Sequence, residues 1–330
     1  MHGGAITLAD ELLEQREPFS AILASDMLDL PLFLSRIRSR YPSISAGIYF
    51  HENQAAYPWS PRDGDKKRGL DLHYSFLNYT SALVADAVFF NSDFHRQRFL
   101  SDLPDFLKRY PDYQNLFTVD EIQSKSQTLW LGMDLTAFDE HRATNSGSES
   151  HRPLILWNHR WEYDKNPIGF FRILYRLLDD GIEFDLALAG DQFEEEPPYF
   201  QEAKERLGNR IVQYGKLSSF ANYAELLWKS DIALVTSKQD FFGGSVVEAV
   251  YCGCHPILPR RLAYTDHLCP ENHPEVFYND EEEAINLVKQ LVASDHWRRP
   301  FQQGRALSRY DWSSQIDAYD LALARLCQTI

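Results

Sequence analysis

Residues Ile232–Tyr251 read IALVTSKQDFFGGSVVEAVY. Ile232–Thr236 is an apolar, β-rich run of strand length. Ser237–Gly244 is a loop closing on two glycines, and a helical period follows through Tyr251. A strand that passes into a helix through a Gly-rich turn is the repeating unit of a parallel α/β sheet. Bare glycine backbone lets N–H groups approach an anion, and the dipole of the following helix favours a phosphate there. Two acids frame the turn, Asp240 before the glycines and Glu248 inside the helix. A carboxylate beside bound phosphate is repelled, so these acids need another partner. Sugar hydroxyls suit them, because one carboxylate accepts two hydroxyl hydrogen bonds. The alternative at this loop is a plain helix start with a Gly-rich turn and two solvated acids.

The same alternation extends in both directions. Leu154–Trp157, Phe184–Ala189 (ending at Gly190), Arg210–Tyr214 (ending at Gly215) and His255–Leu258 read as further strands. Asn166-Pro167 supplies an N-cap and a Pro at the first helical position. Phe170, Ile173, Leu174, Leu177 and Leu178 then form one apolar stripe. Upstream, Ala21–Ala24, Ala46–Phe50, Ala87–Asn91 and Thr128–Leu131 read as strands, with helices at Leu30–Arg40, Leu72–Val84 and Asp93–Lys108. The polar segment His141–Arg152, with Asn145-Ser146-Gly147-Ser148, interrupts the pattern as a linker would. Two Rossmann-like domains facing a cleft are therefore expected, at 1–140 and 153–310, joined by a linker at 141–152. A terminal helix at 311–330 carries Trp312, Ile316, Tyr319, Leu323 and Leu326 at spacings of four and three, and is expected to pack back across the domain junction.

Ligands of open α/β sheets bind beyond the carboxyl ends of the strands. The loop after Leu154–Trp157 runs from Asn158 to Pro167 and places Arg160 and Lys165 beside a strand end and a helix start. An Arg fork and a Lys point charge would suit a diphosphate. A surface ion-pair loop, with Glu162 and Asp164 as partners, is the alternative. In the first half, Ile48-Tyr49-Phe50 runs directly into His51-Glu52-Asn53-Gln54, a polar cluster at the end of a buried strand. His51 there reads either as a site residue or as a satisfied structural histidine. Lys66-Lys67-Arg68, Arg36/Arg38/Arg40 and Arg96/Arg98 read as solvated faces or as local phosphate contacts.

Composition narrows the class. The 330 residues carry 33 Lys plus Arg against 48 Asp plus Glu, a formal charge of −15, and 44% are hydrophobic. That balance excludes disordered, collagen-like and low-complexity chains. It weighs against nucleic-acid binding over a whole face, but not against a local basic groove. The opening MHGGAITLADELLEQ has no secretory pattern, and no stretch approaches the ~18 apolar residues that span a membrane. Cys252, Cys254, Cys269 and Cys327 lack zinc spacing and read as plain thiols of a reducing cytoplasm, the expected location. Asn78-Tyr79-Thr80 matches a glycosylation sequon without secretory context.

The spacing of Asp240 and Glu248 resembles the acid-x7-acid signature of the family-4 retaining glycosyltransferases, in which the first acid is normally Glu. Arg160 and Lys165 resemble that family's paired cations. Residues Tyr49–Gln54, Trp157–Lys165, Phe241–Gly243 and Glu248–Cys254 are similar to one branch, the tRNA-queuosine α-mannosyltransferases, over about residues 5–312. The resemblance implies a GT-B fold and transfer of mannose from GDP-mannose to queuosine at the wobble position of an aspartate tRNA, with retention and without an essential metal. It implies that Glu248 holds the nucleotide ribose, that Arg160 and Lys165 neutralise the diphosphate, and that Gly243, Gly244 and Ser245 bind it through backbone N–H groups. Asn158 belongs to the same donor site, and Tyr214, Gly215 and Lys216 flank the guanine. Asp240, one methylene shorter than the usual Glu, would hold donor-sugar hydroxyls, and His51 would line the reacting sugar. Glu52, Asn53, Gln54 and Asn91 fall on the acceptor side. Family members normally begin with a strand and a Gly/Ser-His loop ahead of the segment matching Met1-His2-Gly3-Gly4. The resemblance thus implies an N-terminal sheet lacking its first strand and helix, and weak or no activity. A family-4 enzyme with another sugar or acceptor, or a nucleotide-sugar- or tRNA-binding protein without catalysis, are the competing readings. The oligomeric state stays open.

Overall fold

In the computed structural model, which describes residues 3–15, 19–56, 72–142, 152–190 and 197–328, the strands gather into two separate parallel sheets. The first contains β1 (Ala21–Ser25), β2 (Ser45–Phe50), β3 (Ala87–Phe90) and β4 (Ser126–Thr128), side by side in chain order. Every residue of β2 is buried, as a central strand covered on both faces requires. The second contains β5 (Leu154–Trp157), β6 (Asp185–Ala189), β7 (Ile211–Gly215), β8 (Ile232–Leu234), β9 (His255–Pro259) and β10 (Phe277–Tyr278). Its order is β10-β9-β8-β5-β6-β7, all parallel.

The second order fixes where chemistry belongs. The chain builds outward from β5 to β6 and β7, then returns to β8 on the other side of β5 and builds outward again. The loops after β5 and β8 therefore leave their neighbouring strands in opposite directions and open a crevice between them. These are the two loops that carry Arg160, Lys165 and Asp240. The core beneath them is apolar and aromatic, with Trp157, Phe170, Ile173, Leu174, Phe184, Phe200 and Ile232 fully buried.

Contacts divide the chain into one unit of Met1–Leu131 with Gln315–Ile330, and a second of Gly132–Ser314. The segment after Leu131 is held by the second unit. Asp311 Oδ2 accepts the N–H groups of Leu135 (2.9 Å) and Thr136 (3.0 Å), and Tyr251 donates to Asp139 (2.9 Å). Of the linker read at 141–152, residues 143–151 lie outside the described residues, as does Lys66-Lys67-Arg68. The terminal helix, Trp312–Cys327, lays Ala322 against Tyr49, Phe89 and Leu129 of the first unit. Its Leu326 comes so close to Gly47 that a Cβ there would lie 3.0 Å from the leucine methyl. Among the described residues no helix is long and apolar enough to cross a membrane.

The basic clusters read as faces or phosphate contacts are mostly engaged within the fold. Arg36 pairs with Asp10 at 2.6 Å, and Arg40 donates to the carbonyls of Leu13 and Gln15. Arg96 pairs with Asp93 and Arg98 with Asp102. Asn78 of the sequon is buried, its amide donating to the Asp26 carbonyl at 2.9 Å.

Candidate functional site

The two crevice loops are tied to each other by backbone and side chain. Thr236 Oγ1 lies 3.0 Å from the Lys165 carbonyl, and Lys238 N–H donates to the Asp164 carbonyl at 2.7 Å. Asn166, in the left-handed region at φ 54°, caps the Pro167–Asp179 helix by accepting from Gly169 N–H. This sharp turn aims Lys165 back at the β8 loop. Its Nζ lies 2.9 Å from the Gln239 carbonyl, 3.2 Å from Asp164 Oδ2 and 3.3 Å from Asp240 Oδ2. Burial alone would lower the ammonium's pKa, but Asp240 and Asp164 together outweigh it and hold the value above the ordinary lysine range. Lys165 is thus a fixed, nearly buried cation with its side chain 11% exposed. Asp240 also accepts from Tyr264 at 3.0 Å on Oδ2, so its Oδ1 has no protein partner among the described residues. Arg160 stands apart, 56% exposed and paired with Glu162 at 3.2 Å. The ion-pair partners anticipated for this loop, Glu162 and Asp164, are both present. Only Arg160 makes a surface pair.

The glycine turn is tightly constrained. Gly243 has φ +82°, and a Cβ on it would lie 2.8 Å from the Tyr264 ring, so two independent constraints require glycine. The Gly244–Tyr251 helix follows, and the N–H groups of Gly244 and Ser245 have no backbone acceptor among the described residues. The turn is braced from behind. Buried His267 donates from Nε2 to the Phe242 carbonyl and accepts at Nδ1 from Tyr310 at 3.0 Å. Burial pushes its pKa down to about 4, which keeps the ring neutral. Ser245 Oγ lies 2.9 Å from Nδ1 of His159, which burial and then Lys165 push down to about 3.

Glu248 sits one turn further along, its carboxyl pKa raised by burial and pulled back by a hydrogen bond from Tyr223 at 2.6 Å. Asn158 donates to Tyr223 Oη at 3.0 Å and to the Ser245 carbonyl at 2.8 Å. The structure therefore joins Asn158, Ser245 and Glu248 in one network. Tyr214 is committed elsewhere. Its ring meets Trp161 edge-on at 4.8 Å, and Lys204 Nζ lies 3.9 Å from its centroid. Gly215, at φ +89°, and exposed Lys216 complete the end of β7.

The first unit gathers a second polar cluster at the carboxyl ends of β1, β2 and β3. Buried Asp26 accepts the His51 backbone N–H at 3.0 Å, and the same oxygen lies 3.4 Å from His51 Nδ1. Asn91 donates to the His51 carbonyl at 3.0 Å and lies 2.8 Å from His95 Nδ1. The His51 side chain is 53% exposed. Asn53 is fully buried and accepts from Ala55 N–H at 2.9 Å, so it shapes the loop. Gln54 is held through its backbone by Asn78 at 3.0 Å, and its amide reaches Glu52 at 3.4 Å.

Sequence reasoning missed Asp26, Tyr223, Tyr264 and His267. Asp26 carried the signal used for His51, a polar residue directly after a buried strand. The other three act across 24 or 25 residues on the Asp240–Glu248 stretch, and no local pattern marks them.

Comparison with known proteins agrees with this geometry. Residues 1–133 match the family model described as tRNA-queuosine alpha-mannosyltransferase N-terminal, and residues 139–303 match glycosyl transferases group 1. A tRNA-queuosine alpha-mannosyltransferase of Drosophila melanogaster is 31% identical over 302 residues, covering 89% of this chain and 76% of the relative. Among solved structures, sucrose-phosphate synthase from Thermosynechococcus elongatus superposes with a TM-score of 0.71 at 14% identity, over 99% of this chain and 79% of that one. HepE of Anabaena, solved with UDP and glucose, gives 0.65 at 13% identity, over 99% and 81%. The two parallel α/β units thus have the GT-B glycosyltransferase fold, and the chain belongs to the tRNA-queuosine alpha-mannosyltransferase family.

Proposed function

We propose that this chain moves mannose from GDP-mannose to queuosine at the wobble position of an aspartate tRNA, with the anomeric configuration retained. The observation that carries the donor side is the crevice at β5 and β8. It combines a charged, nearly buried Lys165, N–H groups at Gly244 and Ser245 that have no backbone acceptor among the described residues, and a Glu248 carboxylate on the helix they open. The family relation supports the acceptor.

As the sugar–phosphate bond breaks, negative charge collects on the leaving diphosphate. Lys165, Arg160 and the N–H groups of Gly243, Gly244 and Ser245 meet that charge. Groups fixed before the reaction stabilise it without reorganising, and one such donor is commonly worth about 10²–10³ in rate. Glu248 takes the ribose hydroxyls. Asp240, with Oδ2 held by Lys165 and Tyr264, turns Oδ1 to the sugar hydroxyls. Asn158 acts through the bonds it makes to Tyr223 and Ser245. Gly215 and Lys216, with Tyr214 packed behind them, flank the guanine. On the acceptor side Asp26 and Asn91 hold His51, while Asn53 shapes the loop that presents Glu52 and Gln54. The reaction needs no metal in this reading, because the fixed cations and amides supply the charge, and it takes place in the cytoplasm.

The test is incubation of the chain with GDP-mannose and queuosine-containing tRNA, followed by nucleoside mass analysis. Gain of one hexose on queuosine is expected. Binding of UDP with no binding of GDP would replace the mannosyl reading with another nucleotide sugar. Donor and tRNA binding without any hexose gain would leave a binding protein.

A further inference from the structure

We infer that Tyr223 is a positioning residue that locks Glu248 as an ionised acceptor for the ribose hydroxyls, and that Asn158 sets the direction of the lock. The inference rests on the reading of Glu248 as the ribose residue.

The Asn158 amide nitrogen faces the Ser245 carbonyl at 2.8 Å. Turning the amide over would set two carbonyl oxygens against each other, so the nitrogen must stand there. Its two hydrogens have two acceptors, the Ser245 carbonyl and Tyr223 Oη at 3.0 Å. Tyr223 Oη therefore accepts from Asn158, and its single hydrogen has one remaining destination, Glu248 Oε2 at 2.6 Å. A protonated Glu248 would have to place its own proton on Oε1, the oxygen that has no partner among the described residues. The relay thus favours the carboxylate, and this bond offsets part of the burial that works against that form and keeps the pKa raised.

The placement has a second consequence. The Phe220–Lys229 helix brings Tyr223 to Glu248 from outside the Gly-rich loop, and the ring rests edge-on against Phe138 at 6.1 Å. With Oε2 tied, Glu248 presents Oε1 in one direction. The relay also begins at Ser245, whose N–H lies at the diphosphate turn.

The experiment measures GDP affinity by calorimetry from pH 5 to 8 for the wild-type chain, Tyr223→Phe, Glu248→Gln and the double variant, with inorganic diphosphate as the ribose-free probe. Tyr223→Phe should weaken GDP binding about tenfold, the usual order for a lost hydrogen bond to a charged group. Diphosphate binding should not change. The pH at which GDP binding fades on acidification should move upward, because the carboxylate has lost a donor that stabilises it. In the Glu248→Gln background, Tyr223→Phe should cost nothing further. An unchanged GDP affinity with an unchanged pH profile would overturn the inference while leaving the donor site intact. Equal losses of GDP and diphosphate would overturn it as well, by showing a general disturbance of the site. A wild-type chain that binds neither GDP nor UDP would overturn the donor reading itself, and the inference with it.

Discussion

Lys165 and Gly243 show how single residues hold the crevice at β5 and β8. Lys165 compensates Asp164, which is almost fully buried, and Asp240. Lys165→Ala should therefore abolish measurable donor binding and lower stability by about 3–5 kcal/mol, the usual cost of stranding one partner of a buried pair. Chemical denaturation beside GDP titration reads both. Gly243→Ala meets φ +82° and the Tyr264 ring at 2.8 Å. The strain is on the order of 1–3 kcal/mol, and diphosphate affinity should fall with it. Three buried histidines make stability pH-dependent. His95, His159 and His267 all have pKa values lowered by burial, the last two to about 3 and about 4. The unfolded chain binds protons near pH 6.5, where the folded chain does not. Stability is therefore full above pH 6.5 and falls with acidification at up to about 1.4 kcal/mol per pH unit for each ring. Asp231, raised to about 6 by burial, works in the opposite direction, as do the carboxyls of Asp102, Glu162 and Glu248, which burial also raises. Melting temperature should drop between pH 7 and pH 5.

At the scale of elements, much of the fold is legible because periodicity is local. The strands at Leu154–Trp157 and Ala46–Phe50 and the helix opened by Asn166-Pro167 stand within a residue or two of where the pattern puts them. The Thr118–Ser124 helix and the two-residue β10 escaped the reading because neither is long enough to show a period, and the longer helices Gly4–Glu14, Pro198–Leu207, Phe220–Lys229 and Glu281–Ala293 escaped it as well. The break at Leu131 was not legible either. It depends on Asp311, which caps Leu135 and Thr136 from 176 and 175 residues away. The candidate site divides in the same way. Gly243, Glu248 and Lys165 stand out by their position after strands, but the contact of Lys165 with Asp240 crosses 75 residues. The terminal helix gives the test at this scale. Leu326 is 2% exposed and lies against Gly47 of β2, the strand that His51 follows. Leu326→Ala should cost about 2–5 kcal/mol, as buried leucines do when a cavity is left. A loss of unfolding free energy below that range, read by chemical denaturation, would mean the helix is not fastened to β2 as its contacts indicate.

For the whole molecule the charge of −15 sets the terms on which an RNA can be held. Affinity for nucleic acid comes largely from neutralised phosphates, and each contact adds to the salt slope. The arginines at 36, 40, 96 and 98 are already engaged with Asp10, backbone carbonyls, Asp93 and Asp102. An RNA phosphate would have to displace those partners, so these arginines add little net attraction. Lys216 and Arg160 lie exposed at the carboxyl ends of β7 and β5, where the proposed function assigns them to the donor. The chain should therefore bind tRNA weakly, with a log–log salt slope shallower than about −3, the value for roughly four phosphate contacts on a single strand. Specificity must then reside in contacts to the modified base rather than in the backbone. Filter binding at several salt concentrations, with queuosine-containing and queuosine-free tRNA, measures both. A steep slope with tight binding would place a basic surface where the net charge does not suggest one. A shallow slope with preference for the queuosine-containing tRNA is the expected result.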